Sequence, residues 1–170
     1  LVDFNPTKTQ TIPISLKQNI VLPPVAMSGV QLESADTLHL LGMDISSKLS
    51  WTNHISCIAK RASQRLGALF RVRRYLTHES ILYLYKTQIR SILEYCSHLW
   101  SKSAASGTVL LDRIQNRVCN LIGPELSQKL EPLSHRRDVS SLSLFYRYQN
   151  GLCSSQLHNS VPPLKQHRRR

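Results

Sequence analysis

The chain has 170 residues, of which 41% are hydrophobic and 19% charged, enough apolar content for a packed core and too much for wholesale disorder. Lys and Arg number 22 against 10 Asp and Glu, a net charge of +12. An excess of that size attracts polyanions, nucleic acid first and an anionic membrane surface second, and adds little to fold stability. The sequence has no P-loop, HExxH or GxSxG pattern and no DD or DxD pair, which argues against a self-contained catalytic centre.

The first fifty residues read as short strands. Thr11–Leu16 alternates weakly, Asn19–Leu22 is a short apolar run stopped by Pro23-Pro24, and Gly29–Leu32 and Leu38–Ile45 follow. Strand-length runs broken by Pro and Gly point to β-structure. Strands this short make a poor free-standing sheet and are expected to belong to a larger domain upstream. This part carries Lys8, Lys17 and Lys48 against Asp3, Glu33, Asp36 and Asp44, so the whole positive excess lies beyond residue 50.

From Ser50 the period changes. Ser50 is placed to cap a helix starting at Trp51. Ile55, Ile58, Ala59, Ala62, Leu66, Leu69 and Phe70 then fall within one arc of about 120°, with Lys60, Arg61, Arg65 and Arg71 opposite. Arg73 breaks the pattern, so the helix ends near Arg71–Arg74. Thr77 caps a second helix with Glu79 in its first turn. Its apolar positions run without interruption from Ile81 and Leu82 through Tyr85, Ile89, Ile92, Leu93 and Cys96 to Leu99-Trp100. Ser101–Gly107 is a small, polar loop. A third helix covers about Thr108–Ile122 and stops at Gly123-Pro124. Residues 125–134 look irregular. A fourth helix covers about Ser134–Asn150 with Gly151 beyond its end, and a polar, Pro-containing tail follows.

The predicted fold class is α+β: short antiparallel strands, then a mainly helical bundle of about four helices. Cys57, Cys96, Cys119 and Cys153 lie 39, 23 and 34 residues apart, which excludes a zinc ribbon or knuckle. Each sits among apolar helical residues, so buried, reduced thiols are expected, and with them an intracellular protein. None of the seven His residues is two or four residues from another, so no metal site is expected of them. Asp36, Asp44 and a His are near one another in sequence, but nothing further joins them. No apolar run is long enough to span a bilayer.

Residues 60–90 hold eight basic residues and one acid, Glu79. Cations on one helix face neutralise phosphates and release counterions whatever the base sequence. Lys60, Arg61, Arg65, Arg71, Lys86 and Arg90 are therefore the candidate nucleic-acid-binding residues. Tyr75, Tyr83, Tyr85 and Trp100 interleave with the charge and could stack bases, although core positions suit Tyr85 and Trp100 better.

The order of segments carries more information than any one of them. Asn5-Pro6-Thr7-Lys8-Thr9 precedes Leu40-Leu41-Gly42-Met43-Asp44. Then come Leu49-Ser50-Trp51-Thr52-Asn53-His54-Ile55, Arg65-Leu66-Gly67-Ala68-Leu69, Leu84-Tyr85-Lys86 and Ile92-Leu93-Glu94-Tyr95-Cys96-Ser97-His98-Leu99-Trp100. Arg113–Arg117, His135-Arg136-Arg137-Asp138, Leu144–Arg147 and Asn150-Gly151 complete the series. Across nearly its whole length the chain resembles the C-terminal part of reverse transcriptases from non-LTR retrotransposons, the jockey-like group.

That resemblance implies a division of the chain. Residues 1–49 would be the end of the polymerase palm, 50–151 a helical thumb that grips a template–primer duplex of RNA and DNA, and 152–170 a poorly ordered tail. Lys8 would lie near the incoming nucleotide's phosphates. Leu41-Gly42 would be the primer-grip-like turn; the family places an aromatic residue just before that pair, where this chain has Leu40. The paired catalytic aspartates, with their Mg2+, would lie upstream in a full-length parent, and the Cys/His knuckle of some relatives is missing. On this reading the chain is a fragment without catalytic residues of its own, acting in the nucleus or the cytoplasm. The rival readings are a non-enzymatic helical module that binds RNA or protein, derived from a transposon remnant, and a bundle whose charge is merely solvated surface.

Overall fold

The computed structural model describes residues 4–15, 23–102, 105–160 and 162. The fold is α+β, with short strands followed by helices that hold most of the core. After a 3-10 turn at Pro6–Lys8 come β1 (Gln10–Thr11), β2 (Ala26–Met27), β3 (Val30–Gln31), β4 (Glu33–Ser34), β5 (Thr37–Leu40) and β6 (Met43–Ser46). β2–β3 and β5–β6 pair antiparallel, whereas β1 and β4 pair in parallel, Gln10 opposite Glu33. The run expected as a strand at Asn19–Leu22 lies outside the described residues. Leu38–Ile45 is not one strand but a hairpin, because Leu41 and Gly42 both take positive φ, 49° and 79°. Two successive left-handed residues make the tight turn that matches the twist of paired strands. Met43, just past it, is the strand residue that reaches the core.

α1 (Thr52–Val72) buries Ile55, Ile58, Ala62, Leu66 and Leu69, the stripe its period predicts. Its N-terminus differs from expectation. Trp51 is the cap residue and makes no capping hydrogen bond, because Ser50 is drawn back to Ser46, whose Oγ accepts the Ser50 N–H at 2.8 Å. A 3-10 turn at Arg73–Tyr75 follows, then α2 (His78–Leu84), capped by Thr77 as expected.

The single long second helix does not form. α2 passes into a π-helical turn at Tyr85–Arg90, then α3 (Ser91–Glu94), a break, and α4 (Ser97–Trp100). Residues four apart in an α-helix drift by about 40° per step; the wider turn reduces that drift and lets Tyr85, Ile89 and Leu93 all face inward. The break comes where Cys96 adopts φ 48°. Trp100 folds back and its Nε1 donates to the Tyr95 carbonyl at 3.0 Å. The indole is thereby fully buried with its polar atom satisfied.

α5 (Ala105–Ile122) begins earlier than expected, inside the supposed loop. At Gly107 a Cβ would stand 3.3 Å from the Ile55 side chain, so glycine is what lets α5 approach α1 there. α6 (Pro124–Ser127) is a helical turn within the segment expected to be irregular. α7 (Leu133–Gln149) ends at Asn150-Gly151, with Gly151 at φ 68°. Within the expected tail, Ser155–Asn159 forms α8, and His158 Nδ1 lies 2.6 Å from the Tyr148 carbonyl; residues 161 and 163–170 lie outside the described residues. No helix among the described residues is long and apolar enough to cross a membrane.

One polar chain crosses this core. The Tyr85 hydroxyl donates to Gln115 Oε1 at 2.7 Å, and Gln115 Nε2 donates to the Glu131 carbonyl at 2.9 Å. Burial pushes the phenol's pKa upward, so it stays a donor at any working pH. Tyr85→Phe leaves the Gln115 oxygen buried without a donor and is expected to cost about 1–3 kcal/mol in chemical denaturation, with the fold retained.

Candidate nucleic-acid interface

The candidate cations separate by what they touch. Lys60, Arg61 and Arg71 are exposed on α1 and Lys86 is half-buried on the π turn; none has a carboxylate partner among the described residues. Arg65 is different. Its Nη1 donates to Gln88 Oε1 at 2.7 Å, which ties α1 to the π turn. Arg90 is only 20% exposed and its Nε lies 3.9 Å from Glu94. Glu94 in turn takes both forks of Arg136 from α7. Arg90 is therefore part of a charged network inside the helical layer, and Lys86 and Arg90 do not form one free face.

Lys8 ends its 3-10 turn in a separate cleft beside Gln10, Val30, Gln31 and Glu33. The Leu41-Gly42 turn, in contrast, meets Arg61. A cleft of about 400 Å3 lies between the hairpin and the helices, lined by Leu41, Gly42, Asp44, His54, Arg61 and Tyr95 among others. The Tyr95 hydroxyl donates to the Leu41 carbonyl at 2.8 Å and anchors the tip, while Leu41 itself is 82% exposed. No motif or spacing marks this anchor, since Tyr95 and Leu41 lie 54 residues apart.

Just below the turn of the hairpin, Asp44 joins two histidines. His39 Nδ1 donates to its carboxylate at 2.7 Å, and the Asp44 backbone N–H donates to His54 Nδ1 at 3.2 Å. An accepting Nδ1 places the His54 proton on Nε2, which is buried without a partner. The hydrogen bond from His39 holds the Asp44 carboxyl below its usual value, and burial holds His54 below 6.5. Asp36, near in sequence, has no part in this group, which joins Asp44 to His39 and His54.

The thiols depart from expectation. Cys57 is exposed on α1, and Cys96, Cys119 and Cys153 are half-buried; all four are free. Among the described residues no three His, Cys, Asp or Glu side chains come together to hold a metal ion, so the residues present do not fit the Mg2+ of a polymerase centre. Of the candidate stacking aromatics, Tyr85 and Trp100 are core, whereas Tyr75 and Tyr83 are exposed. Comparison with protein-family models, curated protein sequences and solved structures gives no match.

His54 makes stability depend on pH with a definite sign. Its folded value lies below its unfolded one, so the unfolded chain takes up the proton first. Stability is complete above 6.5 and declines as pH falls below it. Thermal melts across that range are expected to show the loss, and His54→Gln, which cannot titrate, is expected to reduce it.

Proposed function

We propose that the chain is the end of the palm and the thumb of a non-LTR retrotransposon reverse transcriptase, and that it grips RNA–DNA hybrid through the phosphate backbone. The observation that carries this reading is the free charge around α1. Lys60, Arg61, Arg71 and Lys86 have no carboxylate partner among the described residues, and Arg61 shares a cleft with the Leu41-Gly42 turn. Exposed cations that lack internal partners keep their charge for a polyanion, whose binding releases counterions. Backbone contacts of this kind position a duplex without reading its sequence. Nucleotidyl transfer belongs to the full-length parent, and free thiols suit a reducing compartment such as the nucleus or cytoplasm.

One observation favours the rival, a protein-binding module. α7 turns Val139, Leu142, Phe145 and Tyr146 to solvent, opposite the face it packs. Apolar patches of that kind mark interaction sites.

Binding to an RNA–DNA hybrid, followed by fluorescence anisotropy across a salt series, tests the first reading. Lys60→Ala, Arg61→Ala, Arg71→Ala and Lys86→Ala are each expected to weaken binding and to lower the salt slope by about 0.9 per lost phosphate contact. Arg65→Ala and Arg90→Ala should change affinity less, since Gln88 and Glu94 already occupy those groups. Nucleotide incorporation by this chain alone, or hybrid binding indifferent to salt, would overturn the reading.

A further inference from the structure

α1 ends in a cluster of arginines that its apolar pattern does not require. The chain leaves the helix at Val72 and turns once through Arg73–Tyr75. α5 lies against α1 and brings exposed Arg117 to the same place. The Arg73 and Arg117 Cζ atoms lie 5.3 and 5.4 Å from the centroid of the Phe70 ring. Arg74 Cζ lies 4.7 Å from the centroid of Tyr75. None of these arginines pairs with a carboxylate among the described residues.

A guanidinium over an aromatic face is held by the ring quadrupole while its N–H donors stay available. A carboxylate would hold it as firmly but would cancel its charge. Sharing one ring also puts Arg73 and Arg117 no more than about 11 Å apart, a like-charge proximity that an anion would relieve. Beside them Tyr75 stands 71% exposed, although its ring has core-forming character. With Arg74 over one face and most of the ring still in water, Tyr75 fits a base stacked on its other face. Bases within a duplex have their faces covered by their neighbours; only an unpaired strand offers both phosphate and open base.

We infer that Arg73, Arg74, Arg117 and Tyr75 form a second contact surface, for single-stranded nucleic acid, with phosphates on the arginines and a base stacked on Tyr75. The inference rests on the nucleic-acid reading above but uses residues outside the duplex-gripping set. An acidic protein segment would satisfy the arginines and leave Tyr75 without a role, so the tyrosine decides between the two.

The test measures binding of the whole chain to three probes of equal length: a single strand, the same strand with abasic sites, and a blunt RNA–DNA hybrid. Tyr75→Ala is expected to weaken single-strand binding about tenfold and to leave the hybrid unchanged. The abasic strand should bind the native chain about as weakly as the intact strand binds Tyr75→Ala. Tyr75→Trp should restore binding, and Arg73→Gln with Arg117→Gln should lower both affinity and salt slope. Tyr75 is exposed and outside the core, so melting curves should confirm that its variants fold. Single-strand binding indifferent to Tyr75→Ala, or an abasic strand that binds as well as the intact one, would overturn the inference. If hybrid binding still needs Lys60 and Lys86, the duplex reading survives that failure. Tyr75-dependent single-strand binding with no hybrid binding would instead remove the duplex reading and keep this one.

Discussion

The hydrogen bond from Tyr85 to Gln115 stands where the helices have least freedom. Tyr85 opens the π turn, Gln115 lies on α5, and the other end of the Gln115 amide holds the Glu131 carbonyl just before α7. Three segments distant in sequence are therefore fixed by one side-chain amide whose both ends are used. In a low-dielectric interior such a chain is strong when complete and costly when interrupted. The register of the π turn follows from it. If Tyr85 pointed elsewhere, Ile89 and Leu93 would rotate off the core, and the Arg65–Gln88 link would lose its geometry.

Around this centre the cations fall into distinct groups. Arg136 and Arg137 belong to the interior: the first is forked onto Glu94 and the second, buried, meets Asp112 at 3.2 Å. They fasten α7 to α3 and α5, and removing Asp112 would leave the buried Arg137 charge without its partner. Arg73, Arg74 and Arg117 rest on aromatic rings. Lys60, Arg61, Arg71 and Lys86 are left to solvent. Glu94 and Asp112 are the acids that the interior arginines engage.

Sequence periodicity disclosed the parts in which one helix packs one face. The stripe of α1, the Thr77 cap and the Gly123-Pro124 stop all follow from residue type and spacing. It failed where tertiary packing overrode local preference. Nothing in the run from Ile81 to Trp100 marks the π turn or the left-handed Cys96, since the apolar spacing is also that of an uninterrupted helix. Ser50 has the chemistry of a cap but is held by Ser46, a partner four residues back. In the candidate site, free and engaged cations could not be told apart. Arg65 and Lys60 differ only in what lies opposite them, and Gln88 is more than twenty residues away in sequence.

The hairpin tip has a mechanical consequence. Leucine in the left-handed region costs about 1 kcal/mol or more, and Leu41 holds that conformation in solvent, with its carbonyl bound to Tyr95. Just behind the tip, in the second pair below the turn, the hairpin is held again where the Asp44 N–H donates to His54. A turn tied at its tip and again one step behind it is held stiffly against the helices. Any load placed on Leu41 would pass through that hydrogen bond to Tyr95, at the break between α3 and α4, and so be felt where the helical run changes direction.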